Sequence, residues 1–440
     1  MYYLAIVLYL LMVSPTYGDS IRFLCSPQPC DMLVETQVDA GTILSHPIPA
    51  SYFSMNVINE EWGTRWPASF NFYGARTFKG SWVKVQKIQG GPIVFDYPPV
   101  GSHANARNDG AESIVSLAEN NHNETLMILG GKPAWYATIQ EIAANIEEYR
   151  EYLTAVATYF KGRVHYYESW NEPEQQGFMG NAQILVDFTK EIYQIVKAID
   201  PSVTIVCPAM NITGSGTVSN LLDEFLALGG ADWCDVIGFH SYLSAGNYPN
   251  PPLPPEATID RLMVIKNILA LHQVSKPIWN TETGYNLRNH DNNPIVACGT
   301  SFAGAYLPDD TAYAYLPRLL IISWFHGVER FYWYAYGHRC MGFLEDNLQD
   351  IKANATVYRE IQKWLVGKDM VSLMETNGVW QAELTTGKRT EYILWTTTGE
   401  VTQTLPSTVT QVSDVLGKIS TLTTLQRDQF LITIQPQWVY

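Results

Sequence analysis

Between residues 52 and 336 eight short apolar runs recur, most of them followed by a longer stretch with helical spacing. That alternation limits what the chain can fold into. The runs are "YFSMNVI" (52–58), "GARTF" (74–78), "TLMILGG" (125–131), "VHYYESW" (164–170), "TIVCPAM" (204–210), "DVIGFHSY" (235–242), "PIWNTET" (277–283) and "RFYWYAY" (330–336). Between them lie "TIQEIAANIEEYREYLTAVATYF", "QILVDFTKEIYQIVKAI", "ATIDRLMVIKNILALH" and "TAYAYLPRLLIISWF", with apolar residues at three- and four-residue steps. Strands that alternate with helices pair in parallel, and near-continuous apolar strands are buried on both faces. Eight such units predict a (β/α)8 barrel over 51–370. The first unit is the weakest, since "NEEWGTRWPASFNF" allows only a short helix. A doubly wound open sheet is the rival, but "LGGKP" (129–133) has neither glycine spacing of a phosphate-binding loop.

Beyond the helix "ATVYREIQKWLVG" the chain turns to Thr, Val and Gln, with alternating runs "EYILWTTT" and "QFLITIQPQW". Residues 371–440 therefore read as a small all-β, sandwich-like module on the barrel. Segment 19–50 is a separate N-terminal stretch that could add a strand to it. Before that, "MYYLAIVLYLLMVSPTYGDS" holds an apolar run from Tyr2 to Val13, too short to cross a bilayer and followed by Pro15. It reads as a signal peptide, 1–18, with mature protein starting near Asp19. A secreted protein is expected, with lysosome or vacuole as alternative destinations and no membrane span after cleavage.

Secretion gives meaning to the cysteines and sequons. Cys25 and Cys30 flank a short loop and could close it, and Cys298 and Cys340 could tie two neighbouring loops. Cys207 and Cys234 sit in or beside apolar strands and are expected as buried free thiols. Asn123, Asn211 and Asn354 each begin a glycan acceptor sequon. The net charge of −15, without a lysine or arginine cluster, argues against nucleic acid as a partner. The nine histidines are scattered and no H-E-x-x-H or Cys–His group suggests a metal, so no cofactor is expected. "GTSFAG" (299–304) has Ala303 where a nucleophile elbow needs glycine.

What remains is "HYYESWNEPEQQGF" (165–178). A core strand gains nothing from ending in Asn171 and Glu172, because burying either unpartnered costs several kcal/mol. In a (β/α)8 barrel, however, the ends of the strands supply the site. Glu172 follows the fourth strand and Glu282 ends the seventh, so both carboxylates reach one face of the barrel. Two carboxyl groups about 5–5.5 Å apart are what a retaining glycosidase needs.

"ESWNEP" (168–173) and "PIWNTETGY" (277–285) resemble the acid/base and nucleophile motifs of glycoside hydrolase clan A. Strand order and spacing agree across the barrel, including "WCDVIGFHSY" before the nucleophile and "GVERFYWYAYG" after it. Within the clan the pattern is most similar to family 39, whose signature runs W-x-F-E-x-W-N-E-P-[DN]. Here His165, Tyr167 and Glu174 stand at the Trp, Phe and final positions. The resemblance implies a carbohydrate substrate, Glu172 as acid/base and Glu282 as nucleophile. It also implies Asn171 on the sugar 2-hydroxyl, Arg76 steadying the nucleophile, His240 and Tyr242 as polar neighbours, and Trp333 as the floor under the reacting sugar. Trp135 and Tyr136, in "KPAWY", are candidates for a further sugar subsite. Glu168 reads as a hydrogen-bonded barrel residue and Glu174 as a solvated one. The expected function is a secreted retaining glycoside hydrolase. Its rivals are a catalytically silent carbohydrate-binding barrel and an ectodomain on an uncleaved anchor.

Overall fold

The computed structural model describes residues 44, 46–57, 70–96, 110–212, 216–243, 252–290, 306–338, 340–345, 347 and 350–440, without the side chains of 216–219. They fall within one unit, Thr42–Tyr440. The signal-peptide stretch, Cys25, Cys30, Cys298 and most of the first helical connection lie outside the described residues.

Each of the eight runs becomes a strand. They are β1 (Phe53–Asn56), β2 (Gly74–Thr77), β3 (Glu124–Ile128), β4 (Tyr166–Glu168), β5 (Thr204–Val206) with β6 (Met210–Asn211), β7 (Ile237–His240), β8 (Ile278–Thr283) and β9 (Val328–Trp333). β5 and β6 are two pieces of one strand, because Pro208 lacks the N–H that would carry the ladder through. All pairings are parallel, in the order β5-β4-β3-β2-β1-β9-β8-β7-β6. The ends meet through a parallel bridge between Val206 and Val236, with Cys207 N–H donating to Val236 O at 2.8 Å. The sheet thus closes into a (β/α)8 barrel.

Helices Ala182–Ile199, Thr258–Leu271, Asp309–Phe325 and Ala353–Leu365 follow the predicted spans closely. The stretch from Thr138 to Phe160 is instead two helices, Ile139–Ala144 and Ile146–Tyr159. Asn145 separates them, its side chain donating to Glu141 O at 2.8 Å and competing with the helical ladder.

The cysteine expectation needs correcting. Cys207 and Cys234 form a disulfide, with Cα atoms 5.2 Å apart. Closure of the barrel sets β5 beside the start of β7 and so brings the two within bonding reach. Burial was legible from the apolar runs; the pairing was not. Cys340 is also disulfide-bonded.

After Gly367 the chain builds a six-stranded antiparallel sheet, from Asp369–Thr376 to Gln437–Val439, and a two-stranded ladder of Val401–Gln403 with Phe430–Ile432. Val379, Leu394, Leu405, Val409, Phe430 and Ile432 form a separate apolar core between them. The module is fixed to the barrel by polar as well as apolar contacts. Trp395 Nε1 donates to Glu256, which also pairs with Arg318, and Lys368 pairs with Glu391 beneath the Trp438 ring. Ile48 exchanges main-chain hydrogen bonds with Gly367 and Lys368, clamping the start of the described chain to this junction.

Candidate active site

The interior of the barrel is layered. Near the N-terminal ends of the strands, Tyr166, Trp279 and Tyr332 pack with Leu126, Val206 and Val236. At the other end the inward residues are Asn56, Arg76, Glu168, His240 and Glu282, all buried and all polar. Such a layer survives only if every charge finds a partner.

Arg76 supplies most of the partners. Its Nε and Nη2 donate to the two oxygens of Glu168 at 3.0 and 2.5 Å, while Nη1 donates to Glu282 Oε2 at 2.7 Å and Asn56 Oδ1 at 2.8 Å. Nη2 also reaches Asn171 Oδ1 at 2.6 Å and lies 3.3 Å from His240 Nε2. Burial opposes the guanidinium charge, but Glu168 and Glu282 outweigh it and hold its pKa above the ordinary value. A guanidinium only donates, so His240 Nε2 accepts, and the ring's proton sits on Nδ1, 3.0 Å from Glu172 Oε1. Burial pushes the His240 pKa down to about 4, so the ring is neutral at neutral pH.

Glu282 is 7% exposed; its second oxygen accepts from the Tyr242 hydroxyl at 2.7 Å. Gly284 just beyond it has a steric role, since a Cβ there would lie 2.6 Å from Tyr334 O.

Glu172 stands on the turn after β4, with φ 43° and ψ 59°. The left-handed region costs a non-glycine residue roughly 1–3 kcal/mol, and α-like backbone before a proline is disfavoured as well. The surroundings hold it there. Glu172 N–H donates to Ala209 O at 2.8 Å, and its carbonyl accepts from Gln175 N–H at 3.0 Å. Trp170 anchors the approach, packed edge-on to Phe178 and stacked on Phe188. A Cβ on Gly130 would come 2.5 Å from its ring. Burial raises the Glu172 pKa, against the lowering pull of Arg76 and of Gln175 Nε2, which donates to Oε2 at 2.7 Å.

One oxygen of Glu172, one of Glu282 and a ring nitrogen of His240 all lie within 4.8 Å of one another. Such a trio could hold a cation. Here, though, Arg76 already bonds Glu282 and faces His240 Nε2, so a metal would sit against a fixed positive charge.

The sequence-predicted Glu172, Glu282, Asn171, Arg76, His240 and Tyr242 are thus brought together. Two aromatic expectations fare differently. Trp333 is fully buried, its N–H donating to Met341 O and its ring stacked on Phe343, so it cannot face a sugar. Neighbouring strand residues point to opposite sides, and the partly exposed ring beside the carboxylates is Tyr334. Its hydroxyl is held protonated by burial and then by the charge of Glu282, with Glu172 adding to it. Trp135 is half-buried, edge-on to Trp82, and Tyr136 is buried with its hydroxyl on Glu148. Sequence reasoning missed Asn56, a polar residue ending an apolar strand as Glu172 does, and missed Tyr334. Glu168 is the hydrogen-bonded barrel residue expected of it. Glu174 is only partly exposed and its carboxylate is engaged: Oε1 accepts from Asn211 N–H at 3.1 Å and Oε2 is buried.

Of the sequons, Asn354 is 3% exposed within a helix and has no room for a glycan. Asn123 Nδ2 is occupied by donation to Phe72 O and Tyr73 O, and Asn211 lies in β6 beside Glu174. Among the described residues no helix is long and apolar enough to cross a membrane.

Residues 104–309 match the family model described as Cellulase (glycosyl hydrolase family 5). No curated protein matches the chain. Among solved structures the fold is similar to a family 39 glycoside hydrolase from the gut symbiont Bacteroides cellulosilyticus, at 18% identity over 89% of this chain and 82% of that one, with a TM-score of 0.63. It is also similar to a monomeric beta-xylosidase from Caulobacter crescentus (16% identity, 81% of this chain and 76% of that one, TM-score 0.55). A GH30 endoxylanase from Clostridium papyrosolvens aligns at 14% identity over 91% of this chain and 97% of that one, with a TM-score of 0.54. Fold and partial sequence match therefore agree with the two motifs: the chain has the barrel of the clan A glycoside hydrolases. The sequence match is to family 5, where the motifs resemble family 39.

Proposed function

We propose that the protein is a retaining glycoside hydrolase acting on a β-linked glycan. The observation that carries this reading is the placement of Glu172 and Glu282, with oxygens within 4.8 Å across one barrel mouth. That is the short separation of a double displacement; an inverting pair leaves roughly 6.5–9.5 Å for a water. Glu282, held by Arg76 and Tyr242, attacks the anomeric carbon as the glycosidic C–O bond breaks. Glu172 gives its proton to the departing oxygen. Water then attacks the glycosyl-enzyme, Glu172 takes the water's proton, and Glu282 leaves as carboxylate. The raised pKa of Glu172 suits it to hold a proton for the first step. Arg76 fixes Asn171 by its Oδ1, which leaves the amide N–H groups to donate to a sugar 2-hydroxyl.

The printed descriptions of the similar proteins (cellulase, beta-xylosidase, endoxylanase) support xylan and β-glucan as first substrates. Secretion is part of the proposal, supported by the Tyr2–Val13 apolar run and the Cys207–Cys234 disulfide. The test is product formation from xylan, β-glucan, mannan and uronic-acid glycans by wild type and Glu282→Gln. Product from the wild type alone is expected. Equal product from both would overturn the assignment, and binding without product in either would make the barrel a carbohydrate-binding module.

A further inference from the structure

The turn that carries Glu172 is fastened to β6 in an unusual way. Asn171 and Ala209 form a parallel bridge, flanked by Ala209 N–H to Trp170 O and Glu172 N–H to Ala209 O, each 2.8 Å. In a continuing parallel ladder the next donor, Asn211 N–H, would bond Glu172 O. That carbonyl has turned away in the left-handed residue and accepts from Gln175 N–H instead. The Glu174 side chain takes its place: Oε1 accepts from Asn211 N–H at 3.1 Å. Two acceptors of this pair, Glu174 Oε2 and Asn211 Oδ1, are buried without a hydrogen-bond partner. An ionised carboxylate brings two acceptors and no donor to such a place, whereas a carboxylic acid brings the missing donor.

We propose that Glu174 is a positioning residue: as a neutral carboxylic acid it latches the catalytic turn to β6, accepting from Asn211 N–H at Oε1 and donating from Oε2 to Asn211 Oδ1. The latch holds Glu172 in its left-handed conformation and aims it at Glu282. Its charge environment agrees. Burial, with a smaller contribution from the neighbouring charge of Glu172, pushes the Glu174 pKa up to about 7 against hydrogen bonds from its own N–H and from Asn211 N–H. Among the described residues, β6 brings only Met210 and Asn211 to this contact and no charge, so the titratable group that faces Glu174 is Glu172 of its own turn. The role in catalysis rests on the proposed hydrolase reading; the protonation state does not.

Two measurements on Glu174→Gln separate these. Glutamine reproduces the protonated acid, with a carbonyl for Asn211 N–H and a permanent N–H for Oδ1. A group whose folded pKa is raised favours the fold while protonated and loses that advantage as pH rises from its unfolded to its folded value. The melting temperature of wild type should therefore fall relative to Glu174→Gln between about pH 4.5 and about 7, and the difference should level off above that. A pH-independent difference would mean that Glu174 is ionised in the fold and would overturn the proposal with no substrate involved. On a cleaved glycan, log kcat/KM of the wild type should fall with pH more steeply than one decade per unit, because Glu172 and Glu174 both lose protons. Glu174→Gln should fall by one. Glu174→Ala should lose roughly tenfold or more in kcat/KM, and Glu174→Gln should recover most of it. Identical alkaline slopes beside a pH-dependent melting difference would leave the proton in place but refute the positioning role.

Discussion

The barrel holds an arginine toward each end, one fully buried and one partly exposed, and the two are solved differently. Arg330, on β9, lies toward the N-terminal ends of the strands. It donates to Glu124 at 2.9 Å and to the Tyr166 hydroxyl at 2.8 Å, and it lies over the rings of Tyr166 and Trp279, whose centroids are 4.3 and 4.6 Å away. Its charge is met by one ion pair, one hydroxyl and aromatic faces. Arg76, toward the opposite ends, bonds two carboxylates at once and shares the layer with a third, Glu172, and a neutral His240. At one end Arg330 makes its ion pair with Glu124. The other keeps an excess of carboxylate over positive charge in a buried place, a state that is costly for stability and useful for chemistry.

Substitutions should pull the two ends apart, and the largest effect belongs to the excess carboxylate. Glu282→Gln should lower kcat by at least about 10⁴-fold with the fold intact, as loss of a nucleophile does in other enzymes; circular dichroism beside the kinetics would check both halves. Arg76→Leu should come next. It leaves Glu168 and Glu282 buried without their cation, so a loss of roughly 3–5 kcal/mol in chemical denaturation is expected together with a fall in turnover. Arg330→Leu should cost stability on a similar or smaller scale while turnover per folded molecule stays near wild type. If Arg330→Leu lowered kcat as much as Arg76→Leu, the distinction between the ends would fail.

Replacing Cys207 and Cys234 together by alanine should remove about 3 kcal/mol of stability, measured by denaturant midpoint, through freedom restored to the unfolded chain. The smallest effect concerns pH. Gln175 donates to Glu172 and so lowers its pKa against the larger effect of burial. Gln175→Ala should therefore shift the alkaline limb of kcat/KM upward by a few tenths of a pH unit, on the scale of one exposed hydrogen bond to a charged group. A downward shift would mean that the bond holds the acid form.

The contrast between the two ends also marks what could be read before folding. Period and length placed each strand, and polar residues at the ends of apolar strands, Glu172 and Glu282, pointed to one mouth of a barrel. Arg76 and His240 were legible through the resemblance to the clan A motifs. Trp333 and Tyr334 were not separable, because an aromatic run shows no period and only the strand's pleat decides which ring turns inward. The Cys207–Cys234 bond depends on barrel closure, a contact between β5 and β7 that no local signal announces. Glu174 looked like a solvated residue after a proline; its partial burial arises from the left-handed turn at Glu172, a conformation that the identity of Glu172 itself argues against.

The central claim is that Glu172 and Glu282 carry out a double displacement. The most direct test is the anomeric configuration of the first-formed product, read by proton NMR in the opening minutes of hydrolysis of whichever glycan the wild type cleaves. The account predicts that the β-linked substrate releases the β-anomer first, with the α-anomer appearing only by mutarotation. Immediate release of the α-anomer would show single displacement and contradict the roles assigned to the pair.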